Sequence, residues 1–164
     1  MFDVISESDM NFISENTFQI EKSEVYSSLD DGVKTVEYIR AIGDNLLFVE
    51  AKTTFPNPNN PGEGALDRFH SEIDAICEKF VHSLNLFSAV EVGVLHDVGA
   101  VDMVLPERAS LAFFLVIKNH EEAWCKPIEV KLIACLPSYL KKIWKPNVHV
   151  INHQTAIKQN LAIN

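Results

Sequence analysis

Residues 43–54 read Gly43-Asp44-Asn45-Leu46-Leu47-Phe48-Val49-Glu50-Ala51-Lys52-Thr53-Thr54, a turn running into a strand. Gly-Asp is the signature of a two-residue type II′ hairpin with glycine first. The segments on either side, 34–42 (KTVEYIRAI) and 46–55, are rich in β-branched and aromatic residues. Yet the second strand, as apolar as a buried strand should be, carries Glu50 and Lys52 on one face. Ionised side chains are rarely taken out of water without a partner, so these two need an explanation.

The hairpin supplies a candidate. If Gly43-Asp44 is the whole loop, Ile42 pairs with Asn45, Glu37 lies opposite Glu50, and Thr35 lies opposite Lys52. Opposed residues share a face, with Cβ atoms roughly 4.5–5.5 Å apart. Two carboxylates and one ammonium then converge. Carboxylates that close repel each other unless a cation sits between them, and Lys52 neutralises only part of that charge. A set of donors made of oxygen alone points to Mg²⁺ or Mn²⁺ rather than zinc. The inference depends on register, since a three-residue loop would move Glu37 to the other face.

Working outward, residues 1–15 are polar and acidic, carry no periodic signal and are expected to be poorly ordered. Ser23–Leu29 reads as a short helix capped by Ser23, stopped by the turn chemistry of Asp30-Asp31-Gly32. Residues 56–64, rich in Asn, Pro and Gly, form a loop. Leu66, Phe69, Ile73, Ile76, Phe80, Leu84 and Phe87 then recur at three and four, as on a long amphipathic helix. Residues 111–118 (LAFFLVIK) are a strand covered on both faces. Ile128, Leu132, Leu136, Leu140 and Ile143 mark a helix interrupted at Pro137. A short strand at 148–151 and a helix at 154–162 complete the order. The expected fold is α/β: one domain over 1–164, with a mixed β-sheet, an N-terminal hairpin and flanking helices.

An acid on the first hairpin strand and acid-x-Lys on the second resembles the PD-(D/E)XK nuclease superfamily, with its restriction-endonuclease-like core. The resemblance covers about 23–151, in element order as well as motif. By position, Glu50 and Lys52 of Glu50-Ala51-Lys52 match the (D/E)xK element, and Glu37, thirteen residues upstream, matches the preceding acid. Glu24 matches the helix-borne acid of some branches, with Glu21 as its competitor. The resemblance implies metal-dependent hydrolysis of phosphodiester bonds. Glu37, Glu50 and Glu24, with the Ala51 carbonyl, would hold Mg²⁺ or Mn²⁺. Lys52 would position the attacking water or stabilise charge on the phosphate. The chain departs from the family at Glu37, which follows Val36 where Asp after Pro is usual. No Gln or Lys of a helical nuclease motif stands out in the 66–87 helix, whose outer face is acidic (Asp67, Glu72, Asp74, Glu78).

Charge bears on partners. The net charge is −9: residues 1–65 hold 12 acids and 4 bases, whereas 118–158 hold seven lysines and three glutamates. The acidic whole argues against nonspecific polyanion binding. The local run Lys141-Lys142-Ile143-Trp144-Lys145 is the one candidate face for DNA or RNA, unless it is simply a solvated helix end. These features leave a second reading open, a non-catalytic domain of the same fold that binds a protein partner. No apolar run is long enough for a membrane span, and there is no basic, then apolar leader, so a cytoplasmic protein is expected. Cys77, Cys125 and Cys135 form no metal or disulfide pattern. Glu129-Val130-Lys131 repeats the tripeptide, but in a helix pattern where its two charges do not share a face.

Overall fold

A computed structural model describes residues 3–164. In chain order they form β1 (Val4–Glu7), β2 (Met10–Ile13), β3 (Thr17–Phe18), α1 (Glu24–Ser27), β4 (Tyr38–Ile42), β5 (Asn45–Lys52), α2 (Ala65–Glu91), α3 (Val98–Val101), β6 (Ser110–Ile117), α4 (Glu122–Cys135), α5 (Ser138–Trp144), β7 (Asn147–Asn152), α6 (His153–Lys158) and β8 (Ala162–Ile163). The hairpin register is the expected one: Ile42 pairs with Asn45, Arg40 with Leu47 and Tyr38 with Val49. Gly43 alone takes the positive φ, 52°, that the first position of a type II′ turn requires.

The main sheet runs β3-β4-β5-β6-β7. β4 flanks β5 antiparallel and β6 flanks it parallel, so the sheet is mixed and β5 is not an edge. Parallel neighbours need long crossovers. The first is α2, and the second is α4 followed by α5. The Leu136-Pro137 break between α4 and α5 is the interruption read at Pro137.

Alternation along β5 divides the core. Leu46 and Phe48 pack with Phe80 and Leu84 of α2 and Ile128 and Leu132 of α4. Leu47, Val49 and Ala51 point the other way, onto Ile5, Met10 and Phe12. That second layer is a small antiparallel sheet, β1-β2-β8, which the sequence reading did not contain. Residues 1–15 are therefore not a loose tail: their described part forms two strands, and Met10 and Phe12 are fully buried. At the other end the helix read at 154–162 stops at Lys158, and Ala162 pairs with Phe12. Two four-residue strands and one two-residue strand are too short to leave a periodic signal.

Among the described residues no helix is long and apolar enough to cross a membrane.

Candidate functional site

β5 places Glu50 and Lys52 on the face covered by α2, and there Glu50 is fully buried. Its partner is Lys79, whose Nζ donates to Glu50 Oε1 at 2.8 Å. Lys52 Nζ lies 4.0 Å from the same oxygen but only 2.7 Å from Glu72. Glu72 and Lys79 are seven residues apart on α2, so one helix face meets the strand's two charges. Four residues further along that face, Ser83 Oγ accepts from the Val36 amide at 2.8 Å. This polar seam seats α2 against the hairpin.

Lys79 is the residue that sequence reasoning missed. No Gln or Lys of a helical motif stands out in the sequence of 66–87, yet Lys79 flanks the apolar stripe three residues after Ile76 and turns inward. Burial opposes the Lys79 charge, yet Glu50, with Glu21 and Glu37 beyond it, outweighs that and holds its pKa above the ordinary value. Burial pushes the Glu50 carboxyl up to about 7, against the pull of Lys79 and Lys52.

Glu37 takes its place by a slip in the ladder. β4 begins at Tyr38, and the Glu37 amide donates to the Val49 carbonyl at 3.1 Å, although Val49 is the register partner of Tyr38. Glu37 therefore precedes the strand, in a β-bulge, instead of pairing squarely with Glu50. Thr35 likewise has no ladder pairing with Lys52. Glu37 nonetheless remains close enough to Glu50 to be affected by its charge. Burial, the adjoining Glu21 carboxyl and the charges of Glu50, Glu21 and Glu7 together raise Glu37 to about 9.

Glu37, Glu21 and Glu7 each offer a carboxylate oxygen within 4.8 Å of the others. Glu21 comes from the 3-10 turn Ile20–Lys22 that follows β3. Glu7 comes from the tip of the β1–β2 hairpin, which is docked on β5 by Ser8 Oγ donating to the Ala51 carbonyl at 3.0 Å. Glu7 is also ion-paired with Lys22. The two candidates for the helix-borne acid separate here. Glu24, in the first turn of α1, is exposed and borders a groove shared with Asp97 and Asp102, whereas its competitor Glu21 joins Glu37. The Ala51 carbonyl, also read as a ligand, already accepts from Ser8.

The cluster of Glu7, Glu21 and Glu37, with Lys22 on Glu7, thus lies beside Glu50, which stands outside that 4.8 Å group and is held by Lys79 with Lys52 nearby. Two oxygens there are conspicuous: Glu37 Oε2 and Glu50 Oε2 are buried and have no hydrogen-bond partner among the described residues. A buried polar atom left unpaired costs roughly 1–3 kcal/mol, more for a charged group. An all-carboxylate set with two such oxygens suits a hard divalent cation of the magnesium or manganese type.

The lysine run lies elsewhere. It leads into Asn147, which pairs with Ala112, itself opposite Leu47, at the hairpin-turn end of the sheet. Lys52 is five residues further along β5, on the order of 17 Å at about 3.3 Å per residue. Lys141 Nζ donates to the Ile133 carbonyl near the C-terminus of α4, at 3.1 Å, as the helix-end reading expects. Glu129 sits within α4, where its Oε2 accepts from the Val150 amide at 3.1 Å, so it serves the sheet edge.

Compared with family models, curated proteins and solved structures, the chain matches none of them.

Proposed function

We propose that the chain is a divalent-metal-dependent phosphodiesterase of the PD-(D/E)XK type, with Glu21, Glu37 and Glu50 holding Mg²⁺ or Mn²⁺ and Lys52 acting on the phosphate. The observation that carries this reading is the pair of buried, unpartnered oxygens, Glu37 Oε2 and Glu50 Oε2, on two carboxyls near enough for the charge of Glu50 to raise Glu37. The element order supports it as well: an antiparallel hairpin bearing the acids, a helical crossover, then a parallel strand and helix. That is the order of the restriction-endonuclease-like core.

A cation bound there would supply Lewis-acid polarisation of the phosphate and a more acidic water. The protein's own side chains do the rest. Lys79 holds Glu50 Oε1 and leaves Oε2 free. Lys52 is about one-third exposed at the end of β5, where its ammonium can meet a phosphate oxygen once it leaves Glu72. Glu37 must lose its proton before it can serve as a ligand, so metal affinity rises with pH.

The test is hydrolysis of labelled single- and double-stranded DNA and RNA with Mg²⁺ and Mn²⁺, comparing wild type with Glu50→Gln and Lys52→Met. Cleavage that falls at least a hundredfold in both variants supports the reading. Cleavage unchanged in Glu50→Gln overturns it.

A second reading, a non-catalytic domain that keeps the fold and binds a protein, has its own observation. Val92, Val94, Val98, Val101 and Val104 are each 65–76% exposed around α3. Apolar exposure concentrated in one segment is the mark of an interaction surface. Failure of every substrate in the hydrolysis assay selects this reading.

A further inference from the structure

We propose that the cavity at the C-terminal ends of β5 and β6 is a subsite for one unpaired nucleobase of a single-stranded nucleic acid. This rests on the phosphodiesterase reading and names the substrate class for it. The cavity encloses about 450 Å³, in the range of small-ligand sites. It lies where ligands gather in open α/β sheets, beyond the carboxyl ends of parallel strands. Thr54 forms part of its wall two residues after Lys52, on the order of 7 Å along an extended chain. The ladder continues past the strands, with the Lys118 amide donating to the Lys52 carbonyl and the Asn119 amide to the Thr53 carbonyl, both at 2.9 Å. That pairing carries Asn119 and His120 to the cavity's edge.

The lining has the chemistry of a base and not of a phosphate. No carboxylate, lysine or arginine contributes to it, in a chain whose net charge is −9. Burial holds the His120 imidazole below its usual pKa, which favours the uncharged ring. Phe55 and Phe69 form the buried wall, edge to face with centroids 5.8 Å apart. Trp124 stands at the mouth, 50% exposed, edge to face with His120 at 5.4 Å. A large aromatic held half-exposed beside an apolar wall is a stacking platform, and every base has a face to stack. Amides complete the slot. Asn57 Oδ1 accepts from the Asn59 amide at 2.9 Å, which shapes the loop and leaves the Asn57 side-chain NH₂ free to donate to a base edge. A base can enter only when it is out of a duplex stack, so the substrate is single-stranded there.

The experiment is fluorescence anisotropy of a short labelled DNA strand with the full chain in EDTA, where no cleavage occurs. Wild type is compared with Trp124→Ala and Trp124→Phe, and the strand with an abasic strand of equal length and with the duplex. The expected result is about tenfold weaker binding by Trp124→Ala, with Trp124→Phe close to wild type. The abasic strand and the duplex should bind wild type as weakly as the normal strand binds Trp124→Ala. No measurable binding of the normal strand, equal affinity for the abasic strand, or an unchanged Trp124→Ala would each overturn the proposal. Because metal is absent, base-dependent binding is read apart from hydrolysis. A failure of the metal reading therefore appears as lost hydrolysis with base-dependent binding intact, and a failure of the subsite as the reverse.

Discussion

Replacing Lys79 with Met removes the one hydrogen-bond donor to a fully buried carboxylate, and the cost should depend on pH. In the native chain Lys79 Nζ lies 2.8 Å from Glu50 Oε1, with the two side chains 19% and 1% exposed. After the change only Lys52 remains, at 4.0 Å. Stranding a buried charge costs about 3–5 kcal/mol if it stays ionised. Glu50 has an escape, because burial already holds its pKa at about 7 and the loss of Lys79 raises it further. At about pH 6 Glu50 is then neutral in both proteins, and Lys79→Met loses little beyond one hydrogen bond, about 1 kcal/mol. At about pH 8.5 wild type has ionised Glu50 while the variant retains the proton. At about 1.4 kcal/mol per pH unit, the extra 1.5 units add about 2 kcal/mol, for a total of about 3. Urea unfolding followed by far-ultraviolet circular dichroism at the two pH values measures both figures. The double variant with Glu50→Gln should lose the pH dependence, giving a coupling of about 2 kcal/mol at the higher pH. A cost that is flat with pH, or no coupling, would refute the pairing and the burial argument with it.

Two further outcomes follow from buried groups. The carboxyls of Glu37 and Glu50 are raised to about 9 and about 7 from an ordinary 4.5, so between these values the native state binds more protons than the unfolded one. Their contribution to stability is complete below about pH 4.5 and is lost as pH climbs through 7 to 9, so the metal-free melting temperature should fall over that range. Glu37→Gln should flatten the upper part of the fall. Separately, Tyr38 is fully buried and its hydroxyl has no partner, while its ring packs against Phe12 at 5.6 Å. Tyr38→Phe should therefore be neutral or stabilise by up to about 1 kcal/mol in urea unfolding.

The strongest local signals in the sequence carried the hairpin and the helices. Gly43-Asp44 determined a register that the structure reproduces, and the seven apolar residues from Leu66 to Phe87 located α2. The charges were placed on the correct face because a strand's period of two leaves no choice. Their partners were not legible in the same way. Lys79 and Glu72 meet the strand only through the rotation of α2 about its axis, which depends on packing against Phe48 and Phe113. Glu37 missed its square pairing because a bulge is a local insertion with no composition of its own. Glu7 reaches the site from a four-residue strand, and Glu21 from a three-residue turn. Elements that short hold together through tertiary contacts and not through any repeat in the sequence.

The central claim is that Glu21, Glu37 and Glu50 form one cation site. Calorimetric titration of Mn²⁺ into wild type, Glu37→Gln and Glu50→Gln at a pH near 8.5, where Glu50 is ionised and a bound cation would displace the proton of Glu37, tests it most directly. The account predicts a single saturable site in wild type, weakened at least tenfold in each variant. No heat in wild type at millimolar Mn²⁺, or the same isotherm in all three proteins, would contradict it.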